Sequence, residues 1–180
     1  MKTWFTVIAA AQILFLGAQA AYYEHWKATG QTIEIRVAPT DPRSLFLGNY
    51  LLLSYDISRP PRQGLPPGSV RFDRLPDGTR IFVELEPRKG GAIITGLYTR
   101  RPDPPAKGRV YLQGRKVFDR INYGLERYYI PEARSEAASK LQAALAQTKQ
   151  APVITVEVAV SRSGQGMIRR VLVDGKPLDF

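Results

Sequence analysis

The sequence predicts a mainly β domain, an antiparallel sheet, sandwich or partly open barrel of about eight or nine strands with one soluble α-helix, carried behind an N-terminal transmembrane helix. Three observations predict it. Residues 4–21 carry no charged side chain. Beyond them, apolar and polar residues alternate in short runs divided by glycine and proline, the pattern of half-buried strands. One alanine-rich stretch near 132–150 has helical spacing instead.

The N-terminal segment reads WFTVIAAAQILFLGAQAA, with Thr6, Gln12 and Gln19 as its polar exceptions. Roughly 20 apolar residues, rising about 1.5 Å each, cross a hydrocarbon core of ~30 Å. Lys2 precedes the segment, and Tyr22, Tyr23 and Trp26 follow it as an interfacial aromatic belt does. Residues 1–23 are therefore expected to form a retained anchor, and residues 24–180 an exported β-rich domain. A cleavable signal peptide is the alternative, because Ala18-Gln19-Ala20 fits an A-x-A cleavage site.

Composition narrows the chemistry. The chain has 180 residues, 44% of them hydrophobic and none cysteine. That length suits one ordinary domain. Disulfides, thiolate nucleophiles and Cys-based metal sites are excluded. The one histidine, His25, lies beside the apolar segment, so a Ser-His-Asp triad or a His-ligated metal would have to be built there. No metal and no cofactor is expected. The net charge is +10, and loss of residues 1–23 would remove only Lys2 from the charged set. Such a surplus favours anionic partners, phospholipid head groups or acidic polymers. No nucleic acid is expected as a partner, since charge alone, without a recognised module, speaks for it.

After the anchor, residues 31–38 alternate, with Ile33, Ile35 and Val37 on one face. Asp41 can cap a turn that has Pro42 at its first position. Gly48-Asn49 makes a turn, and residues 50–57 form a strand apolar on both faces, hence central. Residues 59–79, rich in proline and glycine, are an irregular connection with a short strand around Val70–Phe72. Strands follow at 80–86, 92–99 and 109–113, and residues 121–130 are extended. Pro131 starts the soluble helix, whose apolar stripe is Ala137, Leu141, Ala144 and Leu145. The chain closes with a hairpin of 153–161 and 167–173, its core face being Ile154, Val156, Val158 and Val160.

The stretch Gly48-Asn49-Tyr50-Leu51-Leu52-Leu53-Ser54-Tyr55, preceded by Asp41-Pro42-Arg43 and Leu45-Phe46, resembles the signature of the GDYXXLXY family of bacterial membrane-anchored proteins. Tyr123–Glu132 and the closing Val156–Val160 with Val173-Asp174-Gly175 fit the same family. The resemblance covers most of residues 29–175. It implies an N-terminal membrane anchor, an exported domain and the neighbourhood of multi-pass membrane proteins, and it carries no established activity. One position departs from the family: its Asp is Asn49 here, and an amide cannot act as a general acid or base.

The candidate binding residues are the polar and aromatic members of the two matched blocks: Asp41, Arg43, Asn49, Tyr50, Glu126 and Arg127. Leu53 and Tyr55 share a strand face and are expected in the core, which puts Tyr50 on the opposite face. The charged four are expected either to tie two loops together by salt bridges or to form a polar recognition site. No catalytic residue is assigned. A hydrolase on Ser44 would need a desolvated lysine, with Lys89, Lys107 and Lys116 as the candidates. Glu84 and Glu86 share one strand face, where edge exposure accounts for them. The expected function is a non-enzymatic interaction module. It is held in the bacterial inner membrane by residues 4–23, with its N-terminus cytoplasmic and its domain periplasmic. It would contact a multi-pass membrane protein or an anionic envelope component. A periplasmic hydrolase or a soluble ligand-binding protein is the alternative.

Overall fold

Helix α1 runs unbroken over Lys2–Thr29, 28 residues, in a computed structural model that describes residues 2–38, 46–47, 50–61, 64–102, 108–129 and 153–178. It is long and apolar enough to cross a membrane, and none of its apolar window is buried against the rest of the chain. Its length, about 42 Å at 1.5 Å per residue, exceeds a hydrocarbon core. The helix therefore outruns the expected anchor boundary at residue 23, because Glu24–Ala28 contains no helix breaker. Gly30 ends it, donating its N–H to the Trp26 carbonyl at 2.8 Å. A Cβ on Gly30 would lie 2.9 Å from that carbonyl oxygen and 3.2 Å from Ala159 Cβ. The helix end thus packs directly on a strand, with one residue separating it from the domain.

The domain is β-rich, as predicted, and every strand pair among the described residues is antiparallel. The first sheet orders β1 (Gln31–Arg36), β9 (Ile154–Val160), β10 (Gly166–Val173) and β11 (Lys176–Pro177). The second orders β5 (Ile93–Tyr98), β4 (Arg80–Glu86), β6 (Val110–Val117) and β7 (Arg120–Asn122). A small third sheet orders β2 (Phe46–Leu47), β3 (Tyr50–Leu52) and β8 (Arg127–Tyr129). One apolar core serves all three. Ile33 and Ile35 of β1 and Val156 and Val158 of β9 meet Ile81, Val83 and Leu85 of β4 and Leu112 of β6, with Leu51 and Leu53 entering from the third sheet. These are the strands whose alternation is cleanest in sequence, since burial of one face is what alternation records.

Hydrogen bonds stitch the sheets at their margins. Ala92 N–H donates to Glu34 O at 2.8 Å and Gln113 N–H to Gly164 O at 2.7 Å. Val37 and Tyr55 form an isolated bridge. The Asp174-Gly175 turn joins β10 to β11 with both φ angles positive, 50° and 77°, the two-residue hairpin that Asp-Gly favours.

Several segments differ from expectation. The strand beginning at Tyr50 ends at Leu52, and Asp56–Ser58 is a 3-10 turn; the apolar run continues because Leu53, Tyr55 and Ile57 stay in the core beyond the end of the strand, Tyr55 bridging Val37. Around residue 72 a 3-10 turn, Phe72–Arg74, replaces the short strand. Residues 121–130 are not one extended piece, since Gly124 takes φ 75° between β7 and β8. The split into β7 and β8, together with the short β2 and β11, raises the strand count of the described residues above the expected eight or nine. The helix expected near 132–150 lies outside the described residues.

Candidate functional site

The two blocks that carry the family signature meet in the third sheet. Tyr50 pairs with Tyr129, Leu51 with Tyr128 and Leu52 with Arg127. One face of β3 is core: Leu51, Leu53 and Tyr55 are all buried. The Tyr55 hydroxyl donates to the Leu125 carbonyl at 2.5 Å, and the Tyr123 hydroxyl to the Ile57 carbonyl at 2.7 Å. Burial first, and the Glu126 carboxylate second, push both phenols well above their ordinary pKa. Glu126 also accepts from the Tyr123 N–H at 2.6 Å, and its carbonyl accepts from Leu53 N–H. Glu126 is therefore a turn-forming carboxylate that fixes the two blocks against each other.

The other face looks outward. Leu52 is 39% and Tyr129 67% exposed. The Tyr50 and Tyr129 rings lie 5.8 Å apart between centroids, and the Arg127 guanidinium lies 5.8 Å above the Tyr50 ring. The result is an amphipathic strip, a cation on an aromatic pair, of the kind enriched where proteins bind one another. Tyr50 and Arg127 were identified from sequence and come together here. Glu126 lies next to them but turns its carboxylate to the backbone. Asp41, Arg43 and Asn49 lie outside the described residues, as does Ser44. Leu52 and Tyr129 were missed, though the two-residue period of β3 and β8 carries the signal for both.

A second polar site sits inside the second sheet. Glu84, expected on an exposed edge, is 3% exposed. Its Oε2 accepts from Thr95 Oγ1 and from Arg109 Nη1, each at 3.0 Å, and its Oε1 from the Tyr111 hydroxyl at 3.2 Å. Arg109 also reaches Glu86 at 3.7 Å. β4 is central, between β5 and β6, so its neighbours cover Glu84 and supply the donors. Burial and the adjoining carboxylate push the Tyr111 phenol up to about 12. A carboxylate with both oxygens engaged is an anchor for three strands rather than a free base.

The lysines considered for a Ser-Lys pair are otherwise employed or exposed. Lys116 donates to the Leu75 carbonyl at 2.7 Å and lies 5.5 Å above the Phe72 ring, while Lys89 is exposed and Lys107 is outside the described residues. No curated protein and no solved structure matches the chain. The family model described as GDYXXLXY protein matches residues 12–171, from the middle of α1 to β10. The chain belongs to the GDYXXLXY family.

Proposed function

We propose that this protein is a membrane-anchored, non-enzymatic envelope module that docks on a membrane-protein partner through the outward face of its third sheet. Residues 4–23 hold it in the bacterial inner membrane, with the N-terminus cytoplasmic and the β domain periplasmic. The observation that carries the reading is the two-sidedness of the family signature. Its inner residues build the core, while Leu52, Arg127 and Tyr129, with the half-buried Tyr50, form an outward aromatic and cationic strip that no element of the described residues covers. The bare apolar surface of α1 supports the anchor, since an uncovered helix of that length demands apolar surroundings. The helix also runs through Ala18-Gln19-Ala20 without a break, and its last turn seats on β9.

The test is photo-crosslinking in native membranes. A crosslinking amino acid is placed at Tyr129, and at Arg170, which is exposed on β10, as the control. The expected result is one crosslinked membrane protein from position 129, absent from position 170 and lost with Arg127→Glu. No crosslink at 129, or the same products from both positions, would sink the proposal.

A further inference from the structure

Where α1 meets the domain there is a cleft of about 820 Å³. The helix contributes Tyr22, His25 and Trp26, the second sheet and its approach contribute Tyr111 and Arg101, and the β9–β10 turn contributes Arg162. Among the described residues no carboxylate lines it. Two buried side-chain nitrogens in the described residues have no hydrogen-bond partner, Trp26 Nε1 and Arg101 Nε. Arg101 and Trp26 both line this cleft, and Trp26 also lines a second one with Tyr23, Gln113 and Tyr123. Both nitrogens are donors, and both are shielded from bulk water, so solvent does not compensate them.

The chemistry of the missing acceptor follows from the charge. Arg101 lies 5.8 Å above the Tyr111 ring, and no ion pair holds it among the described residues. Water would satisfy an N–H, but two guanidiniums in a cleft with no carboxylate among its described residues favour an anion. The planar fork of arginine matches the oxygens of phosphate.

The height of the cleft identifies where that phosphate comes from. Trp26 lies five residues past Ala21, the end of the uncharged segment, which is about 7.5 Å along a helix. A head-group layer occupies about 5–7.5 Å on each side of the hydrocarbon. Only Gly30 separates α1 from β1, so the cleft is held at that level. We propose that this cleft is a site for a phosphate group, supplied by the head group of an anionic phospholipid, and that the bound lipid fixes the domain against the membrane surface. The inference rests on the anchor reading.

The chain has two tryptophans, so Trp4→Phe leaves Trp26 as the only indole reporter. The full chain in that background is placed in phosphatidylcholine nanodiscs containing increasing fractions of phosphatidylglycerol. Incorporation into the discs reads the anchor, and Trp26 fluorescence reads the site. The expected result is a saturable shift whose half-point moves about tenfold upward in the Arg101→Gln/Arg162→Gln protein, a change equal to one charge-assisted contact. Arg80→Gln/Arg115→Gln removes the same charge from exposed positions at the far end of β4 and β6, and leaves the half-point in place. Arg162 is exposed, so Arg162→Gln alone keeps the folded protein and still shifts the curve.

Three outcomes would overturn the proposal. Incorporated protein with no saturable shift removes the site while leaving the anchor intact. Equal losses from the two arginine pairs mean diffuse attraction. An Arg101-dependent shift with inorganic phosphate in pure phosphatidylcholine discs, and none with phosphatidylglycerol, moves the source to the aqueous phase. Failure to incorporate overturns the anchor reading instead.

Discussion

Glu84 and Arg101 both touch Tyr111, and the fold treats them in opposite ways. Glu84 meets the phenol hydroxyl and has two further side-chain donors, so its charge is fully answered from β5 and β6. Arg101 meets the ring of the same tyrosine, and its Nε is left without an acceptor. Desolvating a charge is costly, and a fold recovers that cost through hydrogen bonds and counter-charge. Where recovery is complete within the chain, the group is structural. Where it is incomplete, the group is open to a partner from outside, as proposed for Arg101. The contrast separates a strand clamp from a binding cleft only one side chain away.

The largest expected effect breaks the answered side. Tyr111, Tyr55 and Tyr123 all have phenols raised by burial above the unfolded value near 10, Tyr111 to about 12. A raised folded pKa gives stability that is complete below pH ~10 and is lost as pH climbs through the folded value. Unfolding by urea, followed from pH 8 to 12, should therefore show a steep fall above pH 10, with no comparable loss near neutrality from these groups. Tyr55→Phe and Tyr111→Phe each flatten that fall, and an unchanged slope in both would remove the phenols as its cause.

Next in size is Glu84→Ala. It strands the Tyr111 hydroxyl and one side of Arg109, and should cost about 3 kcal/mol in urea unfolding. That lies at the low end for a buried pair because Arg109 keeps 34% of its side chain exposed. A loss under about 0.5 kcal/mol would mean the cluster is no clamp. Smaller again is the contrast inside the family signature. Tyr55→Phe orphans the Leu125 carbonyl and should cost about 1–2 kcal/mol. Tyr50→Phe, on the outward face, should stay within about 0.5 kcal/mol while weakening partner crosslinking at Tyr129.

What the sequence disclosed follows the range of the interactions involved. The alternation of Ile33, Ile35 and Val37, and of Ile154, Val156 and Val158, is local, and these residues lie in the core as read, except Ile154, which is partly buried against it. The opposed faces of Tyr50 and Tyr55 were legible for the same reason. The burial of Glu84 was not, because Thr95, Arg109 and Tyr111 reach it from two other strands, 11 to 27 residues away. The end of β3 was equally hidden: apolar residues continue through Ile57, and only the bridge from Tyr55 to Val37 shows that the ladder has been left. The cleft at the helix end is the least local feature of all. Its Tyr22 and Ser163 are 141 residues apart in sequence, and an alternation pattern carries nothing about an unpaired donor.

The smallest expected effect is the most discriminating. Arg101→Gln in a neutral detergent, with no anionic lipid, removes a cation–π contact of about 0.5–1 kcal/mol. It also removes an uncompensated buried donor whose cost is about 1–3 kcal/mol. The two oppose each other, so the unfolding midpoint should move little or rise slightly, although the residue is half-buried beside the core. Glu84→Gln, at the same tyrosine, should fall instead, because there the charge is fully engaged. If both variants lose stability alike, Arg101 is held by the protein itself and the cleft needs no ligand. If Arg101→Gln is neutral without anionic lipid, and the wild type alone gains stability when phosphatidylglycerol is added, the unanswered donor is the site of the gain, since a ligand stabilises only the state that binds it.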